Sequence, residues 1–337
     1  MRIAVDAQGG KAGPRPVLDA VVRSSRETGV EFLLCGSLDP LRRGLDAMGV
    51  SPRDPRLQVV DAPDAVGLDE DPLSARERPL SSVMVAAEQV ARANADAMLA
   101  TGNPGAAVVA SLWHIKRLSG VLRPALARTI RTLAGRAVLL DCGASPDCKP
   151  WHLLQFALMG CAYARVLGVS RPRVGLLSLG ARWGPGSEST REALALLKHS
   201  GPDFVGPVDG AALAAGEVDV AACEGMVGSA CAGILEGAAA VFAARSLSSV
   251  EGRMFPGLRR RLLDPVLGKA LREFRSGCAP LLGVDGVVML SRGEEGAVEL
   301  MDGIRAAESL TKNGLKERIR ENLEEKHARM DLAGAMD

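Results

Sequence analysis

Residues 138–160 read V-L-L-D-C-G-A-S-P-D-C-K-P-W-H-L-L-Q-F-A-L-M-G, and this stretch decides the fold class. The pattern predicts a buried strand over 138–140, a polar loop, and a long apolar helix that opens at Pro150. Proline suits a first helical turn, because its φ is already near helical and its missing N–H would have no partner there. The loop therefore joins a strand C-terminus to a helix N-terminus, where α/β sheets place their chemistry and free N–H groups can hold an anion.

Strand and helix patterns alternate along the rest of the chain. This alternation predicts an α/β fold with a largely parallel sheet and helices on both faces, in a single domain over residues 1–337. The predicted strands are 2–6, 31–35, 57–61, 97–101, 126–130, 137–141, 173–179, 218–223 and 286–290. The predicted helices are 14–27, 81–93, 105–118, 151–167 and 187–198.

Five predicted strands end in a loop that carries glycine beside a small or polar residue. A single loop of this kind is weak support for a site, because glycine commonly satisfies turn geometry. Five at strand C-termini predict a shared crevice lined by backbone N–H groups. The chain has neither G-x-G-x-x-G with a ribose-binding acid nor G-x-x-x-x-G-K-[ST], so nicotinamide and nucleoside triphosphate sites lack their usual anchors.

The composition is that of a soluble enzyme. With a net charge of +1 and 3% aromatic residues, the chain lacks the basic excess and stacking platforms of a nucleic-acid-binding protein. Its seven cysteines are scattered, with no C-x-x-C pair, which predicts free thiols in a reducing compartment and no metal site. A strand begins directly after Met1, without a signal-peptide core, so we expect a cytoplasmic protein.

Residues 245–275 differ in character from the rest and form a predicted basic amphipathic helical arm. Such a segment can lie on an anionic membrane surface. The alternatives are a helical hairpin with a solvated basic face and an arm that contacts a second copy of the chain. The residues expected at the membrane are Met254, Phe255, Leu258, Arg259, Arg260 and Arg261.

With these motifs in view, the chain resembles the PlsX-type phosphate acyltransferases of bacterial phospholipid synthesis. The resemblance rests on L-L-D-C-G-A-S-P-D-C-K-P, R-V-G-L-L-S-L-G, D-V-A-A-C-E-G-M-V-G and A-P-L-L-G-V-D-G-V-V, in the same order. It implies a three-layer Rossmann-like fold of the phosphotransacetylase and isocitrate or isopropylmalate dehydrogenase-like kind, a homodimer, and peripheral contact with the membrane. It also implies that inorganic phosphate attacks the thioester of acyl–acyl carrier protein, giving acyl phosphate without a metal or organic cofactor.

The resemblance also implies the site residues. Lys149 would neutralise phosphate and Asp147 would orient it, although a buried Asp–Lys pair that fixes the loop is the alternative. Asn103 would donate through its side-chain amide, or would serve only as a turn and capping residue. Ser81 and Ser82 would present hydroxyls to phosphate, and one of them is also expected to be a helix N-cap. The implied substrate-binding residues are Asp6, Gly9, Gly10, Ser81, Ser82, Gly102, Gly105, Asp141, Gly180, Glu224, Gly225 and Gly228.

Several positions depart from the family pattern. Lys11 and Ala12 stand where an acid and a histidine are usual, and Leu80 replaces an acid. Gly233 stands in place of a lysine and Arg292 in place of a histidine. These changes leave two alternatives to the acyltransferase: a non-catalytic relative that keeps the fold to bind lipid or carrier protein, and an acyltransferase with another donor such as coenzyme A.

Overall fold

The structure is a computed structural model that describes residues 1–51, 53–178, 187–200, 203–250 and 277–334. Strands and helices alternate as the sequence predicts. In chain order the elements are β1 (Arg2–Asp6), α1 (Arg15–Thr28), β2 (Glu31–Gly36), α2 (Leu38–Ala47), β3 (Leu57–Asp61), a 3-10 turn (Pro72–Glu77), α3 (Ser82–Ala91), β4 (Ala97–Ala100), α4 (Pro104–Ala110), a π turn (Ser111–Ile115), β5 (Ala125–Leu126), β6 (Arg128–Thr132), β7 (Gly135–Leu140), α5 (Pro150–Val166), β8 (Val174–Leu177), α6 (Glu188–Ser200), β9 (Phe204–Val208), α7 (Gly210–Ala215), β10 (Val220–Ala222), α8 (Gly225–Val250), β11 (Ala279–Leu282), β12 (Val287–Leu290), α9 (Ala297–Lys312) and α10 (Leu315–Gly334).

The chain divides into two compact units, each with its own sheet. The first unit comprises Met1–Ala127, Arg165–Gly168 and Gly277–Asp337. Its strands lie in the order β3-β2-β1-β4-β12-β11-β5, parallel from β3 to β12, with β11 antiparallel to both of its neighbours. Asp6 lies beside Ala100 in the register of β1 and β4, so the loops after these two strands are neighbours.

The second unit comprises Arg128–Ala164 and Val169–Ser276. Its strand order is β6-β7-β10-β8-β9, parallel except for β6 against β7. Leu140 lies beside Ala222 in the register of β7 and β10, which places the loops after these strands side by side. Helix α5 is buried at every position from His152 to Ala164, and this explains why its sequence is apolar all round.

The predicted elements need three corrections. The predicted strand 126–130 is two strands, because Leu126 pairs with β11 whereas Arg128 pairs with β7 in the other sheet. Strands β9 and β11 were not predicted, since Pro207 and Pro280 lie inside them and proline usually argues against a strand interior. The predicted helix 105–118 ends at Ile115 through the π turn.

Helix α8 was also not predicted, because alanine and glycine give it no amphipathic period. Among the described residues its segment Gly225–Arg245 is long and apolar enough to cross a membrane, with a mean hydropathy of 1.6. Only 17% of the scored window is buried, and length and composition alone are weak support for a membrane span. The first residues of the predicted arm, 245–250, form the end of α8. The rest of the arm, 251–275, lies outside the described residues.

Candidate active site

Asp6 ends β1 and organises the loop that follows it. Its carboxylate is buried, and Oδ1 accepts hydrogen bonds from the Ser82 hydroxyl at 2.6 Å and from the backbone N–H groups of Gln8 and Gly9 at 3.4 and 3.3 Å. Burial raises the pKa of Asp6, and these donors, which favour the charged form, oppose that rise. The side chain therefore ties its own loop and the start of α3 to one strand end.

Glycine is required where the loops after β1 and β4 meet. A Cβ on Gly9 would lie 2.6 Å from the Cα of Gly102, and the reverse distance is also 2.6 Å. A Cβ on Gly10 would lie 3.0 Å from the carbonyl oxygen of Thr101. The Thr101 hydroxyl completes the contact by donating to the carbonyl oxygen of Asp6 at 2.5 Å. Sequence reasoning did not select Thr101, because threonine at a strand end carries no distinctive signal.

Asn103 serves as a cap and a clamp. Its Oδ1 accepts from the N–H of Ala106 at 3.1 Å and so caps α4, as one of the two sequence alternatives expected. Its Nδ2 donates to the carbonyl oxygens of Gly67, Leu68 and Glu70 at 3.0, 3.3 and 3.0 Å. Both ends of the amide are thus engaged with protein in this conformation, and donation to substrate stays a prediction.

Arg78 holds the same loop from the other side, and sequence reasoning missed it. Its guanidinium pairs with the Glu70 carboxylate at 2.6 Å and donates to the carbonyl oxygen of Ala65 at 3.0 Å. Gly105 lets α4 approach the 3-10 turn, because a Cβ there would lie 2.5 Å from Cγ of Pro72. Arg78 is therefore a positioning residue for the loop that Asn103 clamps.

The two serines before α3 differ in their contacts. Ser82 donates to Asp6, whereas Ser81 occupies the N-cap position without a side-chain capping bond. Ser81 is fully buried, and its Oγ has no hydrogen-bond partner among the described residues. A buried hydroxyl without a partner carries an energetic cost, so each such case needs an explanation.

Asp141 plays the same part in the second unit that Asp6 plays in the first. It is fully buried, and its Oδ1 accepts from the N–H groups of Gly143 and Ala144, both at 3.1 Å. Its Oδ2 accepts from the N–H of Ser145 at 2.6 Å. The carboxylate therefore stabilises the bend of its own loop, and its predicted contact with substrate stays a prediction.

Helix α8 begins directly against this loop. The N–H of Gly225 donates to the carbonyl oxygen of Ser145 at 3.1 Å, and a Cβ on Gly225 would lie 2.7 Å from Oδ2 of Asp141. A Cβ on Gly228 would lie 1.9 Å from the carbonyl oxygen of Asp141, so no side chain fits there. Glu224, the last residue before the helix, is half-buried.

The loop from Asp147 to Lys149 is exposed. Both charged side chains face solvent, so the alternative of a buried Asp–Lys pair is wrong. The N–H of Lys149 donates to Nδ1 of His152 at 3.0 Å, which caps the first turn of α5 with a ring nitrogen. The Lys149 ammonium itself has no ion-pair partner among the described residues. It is the charge best placed in this loop to meet an anion.

The buried thiols beside Asp141 are not activated. Cys142 and Cys223 are both buried, and burial raises the pKa of each thiol. A raised pKa disfavours the thiolate, which is the nucleophilic form. Among the described residues no group of three or more His, Cys, Asp or Glu side chains is placed to hold a metal ion.

Five positions that depart from the family pattern lie at the surface. In the structure each of these side chains, or the glycine itself, is exposed. Lys11 forms an ion pair with Glu294 at 3.0 Å, with 71% and 59% of the two side chains exposed. The replaced positions are Lys11, Ala12, Leu80, Gly233 and Arg292. By contrast Asp6, Ser81, Ser82, Asn103 and Asp141 are all buried.

Some predicted site residues lie outside the described residues. They are Gly180, Met254, Phe255, Leu258, Arg259, Arg260 and Arg261.

The sequence as a whole matches known proteins over nearly its full length. A family model described as fatty acid synthesis protein matches residues 1–318. A phosphate acyltransferase of Elusimicrobium minutum (strain Pei191) is 36% identical over 330 residues, which cover 96% of each chain. A phosphate acyltransferase of Desulforudis audaxviator (strain MP104C) is 39% identical over 325 residues, 94% of each chain. The chain belongs to the family of PlsX-type phosphate acyltransferases. It is therefore a transferase enzyme of lipid synthesis.

Solved structures place this family member in the expected fold. A phosphotransacetylase from Streptococcus pyogenes superposes with a TM-score of 0.62 at 14% identity, covering 92% of this chain and 94% of that one. A branched-chain phosphotransacylase from Enterococcus faecalis V583 gives 0.58 at 15% identity, covering 92% and 99%. At such identities the likeness establishes the fold alone, and it confirms the predicted α/β class.

Proposed function

We propose that this family member transfers a fatty acyl group from acyl–acyl carrier protein to inorganic phosphate and releases acyl phosphate for phospholipid synthesis. The observation that carries the proposal is the family relation over residues 1–318. The buried residues Asp6, Ser81, Ser82, Asn103 and Asp141 support it, because these positions keep the residue types on which the family resemblance rests.

The proposed reaction needs no covalent enzyme intermediate. A phosphate oxygen attacks the thioester carbonyl carbon, the C–S bond breaks, and the carrier thiolate leaves and takes up a proton. Acyl phosphate and free carrier protein are the products. The enzyme has to hold a dianion near the carbonyl and stabilise the developing oxyanion. The raised pKa values of Cys142 and Cys223 support direct attack rather than acylation of a thiol.

The proposal gives three polar residues a role toward phosphate. Ser81 would donate its buried hydroxyl, which has no other partner among the described residues. The exposed ammonium of Lys149 would supply positive charge, and Asp147 would orient the anion. No metal or organic cofactor enters the proposed reaction.

The test is product formation by the purified protein. Acyl–acyl carrier proteins of several chain lengths are incubated with radiolabelled phosphate, acyl phosphate is counted as label that extracts into organic solvent, and free carrier thiol is counted in the same sample. We expect equal amounts of the two products. Absence of both products across the panel would refute the proposal and favour a relative that only binds lipid or carrier protein. Acyl coenzyme A in parallel identifies an altered donor.

The proposal includes a cytoplasmic homodimer in peripheral contact with an anionic membrane. Support for the dimer comes from α8, where Ile234, Val241 and Phe242 are exposed by 71%, 63% and 75%. Among the described residues, no atom lies near the position of a Cβ on the neighbouring Gly233 or Gly237, so a second helix can approach closely. Sedimentation of the purified protein measures the dimer, and a monomer at micromolar concentration would refute it.

A further inference from the structure

A π turn carries two large apolar side chains to the surface of the first unit. Leu112 and Trp113 are exposed by 38% and 51%, although the helix α4 that precedes the turn is largely apolar and packed. Single π turns are rare and are frequently found at functional sites. Lys116 follows the turn with a φ of 69°, in the left-handed region that non-glycine residues rarely adopt. The backbone therefore departs from a simple helix in order to present these side chains.

One cation lies over the exposed tryptophan, and two more follow it closely in the chain. Lys116 and Arg117 are exposed, and the Arg76 guanidinium lies over the Trp113 ring at 4.9 Å from its centroid. Residues 97–127 contain no Asp or Glu, although the whole chain has a net charge of only +1.

Three acidic residues lie near this region through a contact or in the sequence, and two of them form ion pairs with other cations. Asp285, whose N–H donates to the carbonyl oxygen of Lys116, pairs through its carboxylate with Lys316 and Arg320. Glu88 pairs with Arg92 on α3 at 2.7 Å. Glu77 follows Arg76 in the 3-10 turn. The surface of Arg76, Leu112, Trp113, Lys116 and Arg117, called the Trp113 surface below, is therefore apolar and basic.

The Trp113 surface lies at the far end of a helix that starts at the candidate active site. Asn103 caps the first turn of α4, and Trp113 follows ten residues later. A helix rises about 1.5 Å per residue, so the two lie about 15 Å apart along the axis. A protein that delivers a thioester on a flexible prosthetic arm has to dock at such a distance, because its body cannot enter the crevice.

We propose that the Trp113 surface docks the acidic acyl carrier protein that delivers the thioester. The inference rests on the proposed function, and the charge of the surface favours this partner because basic and acidic patches steer and orient such complexes. Trp113 would be the central anchor and the three cations its rim, as in interfaces where one buried aromatic dominates.

The test measures binding apart from catalysis. Fluorescence anisotropy of labelled carrier protein is followed during titration with wild type, with Trp113→Gln/Lys116→Glu, and with Lys116→Glu alone. The matched control is Val298→Gln/Arg43→Glu, which changes an exposed apolar residue and an exposed cation on other helices of the same unit. We expect the Kd to rise about tenfold or more in the double variant and less in the single one. The control should bind as wild type does.

Each outcome has a defined meaning. An unchanged Kd in the double variant, or no binding by wild type, overturns the docking proposal. Loss of binding to anionic vesicles together with unchanged carrier binding would assign the Trp113 surface to the membrane and also overturns it. Wild type that binds carrier protein through this surface but forms no acyl phosphate refutes the proposed function and leaves the docking surface standing. The KM for phosphate should stay unchanged in the double variant.

Discussion

The Asp141 loop depends on glycine at one residue of α8. Replacing Gly228 by alanine puts a Cβ 1.9 Å from the carbonyl oxygen of Asp141, so the loop or the helix has to shift. We expect Gly228→Ala to lower the free energy of unfolding by about 1–3 kcal/mol, as overpacking does. Gly210→Ala is the matched control, because no atom of the part of the chain that the structure describes lies within 4 Å of its Cβ position in α7. Equal stability of the two variants in urea unfolding would contradict the structure.

Removal of the Ser81 hydroxyl should affect phosphate binding but not stability. Ser81→Ala removes a buried hydroxyl without a partner among the described residues, so we expect no loss of stability. If the hydroxyl donates to phosphate, the KM for phosphate should rise about tenfold, because a hydrogen bond to a charged group is worth about 1.5–3 kcal/mol. Ser74→Ala removes another hydroxyl in the same situation in the 3-10 turn and should leave this KM unchanged. An unchanged KM in Ser81→Ala excludes the hydroxyl from phosphate binding.

The buried Asp6 carboxyl should make stability depend on pH. Its pKa is raised in the folded state, so on raising the pH the unfolded chain ionises first, at about pH 3.9. Stability from the protonated form is therefore complete below that pH and is lost as the pH rises through the higher folded pKa. Asp6→Asn cannot ionise, so wild type should lose stability relative to this variant as the pH rises from about 4. Urea unfolding of both proteins at several pH values measures this. If the stability of wild type relative to Asp6→Asn stays constant or increases as the pH rises, the pKa of Asp6 is not raised.

Single residues could be placed from the sequence, but their partners could not. The strand–loop–helix pattern put Asp141 at a strand end, yet only the structure shows that its carboxylate accepts three N–H groups of its own loop. Asn103 was expected either to cap a helix or to bind substrate. Its clamp on Gly67 and Glu70 joins residues 36 and 33 positions apart, and no local pattern encodes such a contact.

At the scale of elements, the predicted arm over 245–275 gives a test that does not depend on the described residues. Replacing Met254 and Phe255 by serine should weaken sedimentation with anionic vesicles, because the two side chains would no longer enter the headgroup region. Leu133→Ser is the matched control, since Leu133 is an apolar side chain that is 92% exposed elsewhere. Unchanged sedimentation of the double variant would favour an arm that contacts protein instead.

Elements with regular patterns were predicted well, and those whose pairing is decided over long distances were not. The strand 2–6 and the helix opening at Pro150 follow from apolar runs and a helix-start signal. Strands β9 and β11 contain proline, and only their neighbours in the sheet make them strands. Between Leu126 and Arg128 the chain passes from one sheet to the other, and no local sequence pattern marks this point.

In the whole molecule, each of the two units has the same arrangement of residues at a strand end. A parallel strand ends in a buried aspartate, Asp6 or Asp141, whose carboxylate accepts N–H groups from the loop that follows. A glycine contact then brings a second strand-end loop close, at Gly102 in one unit and Gly225 in the other. The sequence predicted the loops but not their division between two sheets, because β12 pairs with β4 from 190 positions further along the chain.

The central claim is that phosphate itself attacks the thioester. The most direct measurement is release of free carrier thiol from acyl–acyl carrier protein in the presence and in the absence of phosphate, with enzyme at the concentration of substrate. We expect release only with phosphate, with one acyl phosphate formed per thiol and no burst without it. Thiol release without phosphate, in a burst equal to the enzyme or continuing as hydrolysis, would contradict the account.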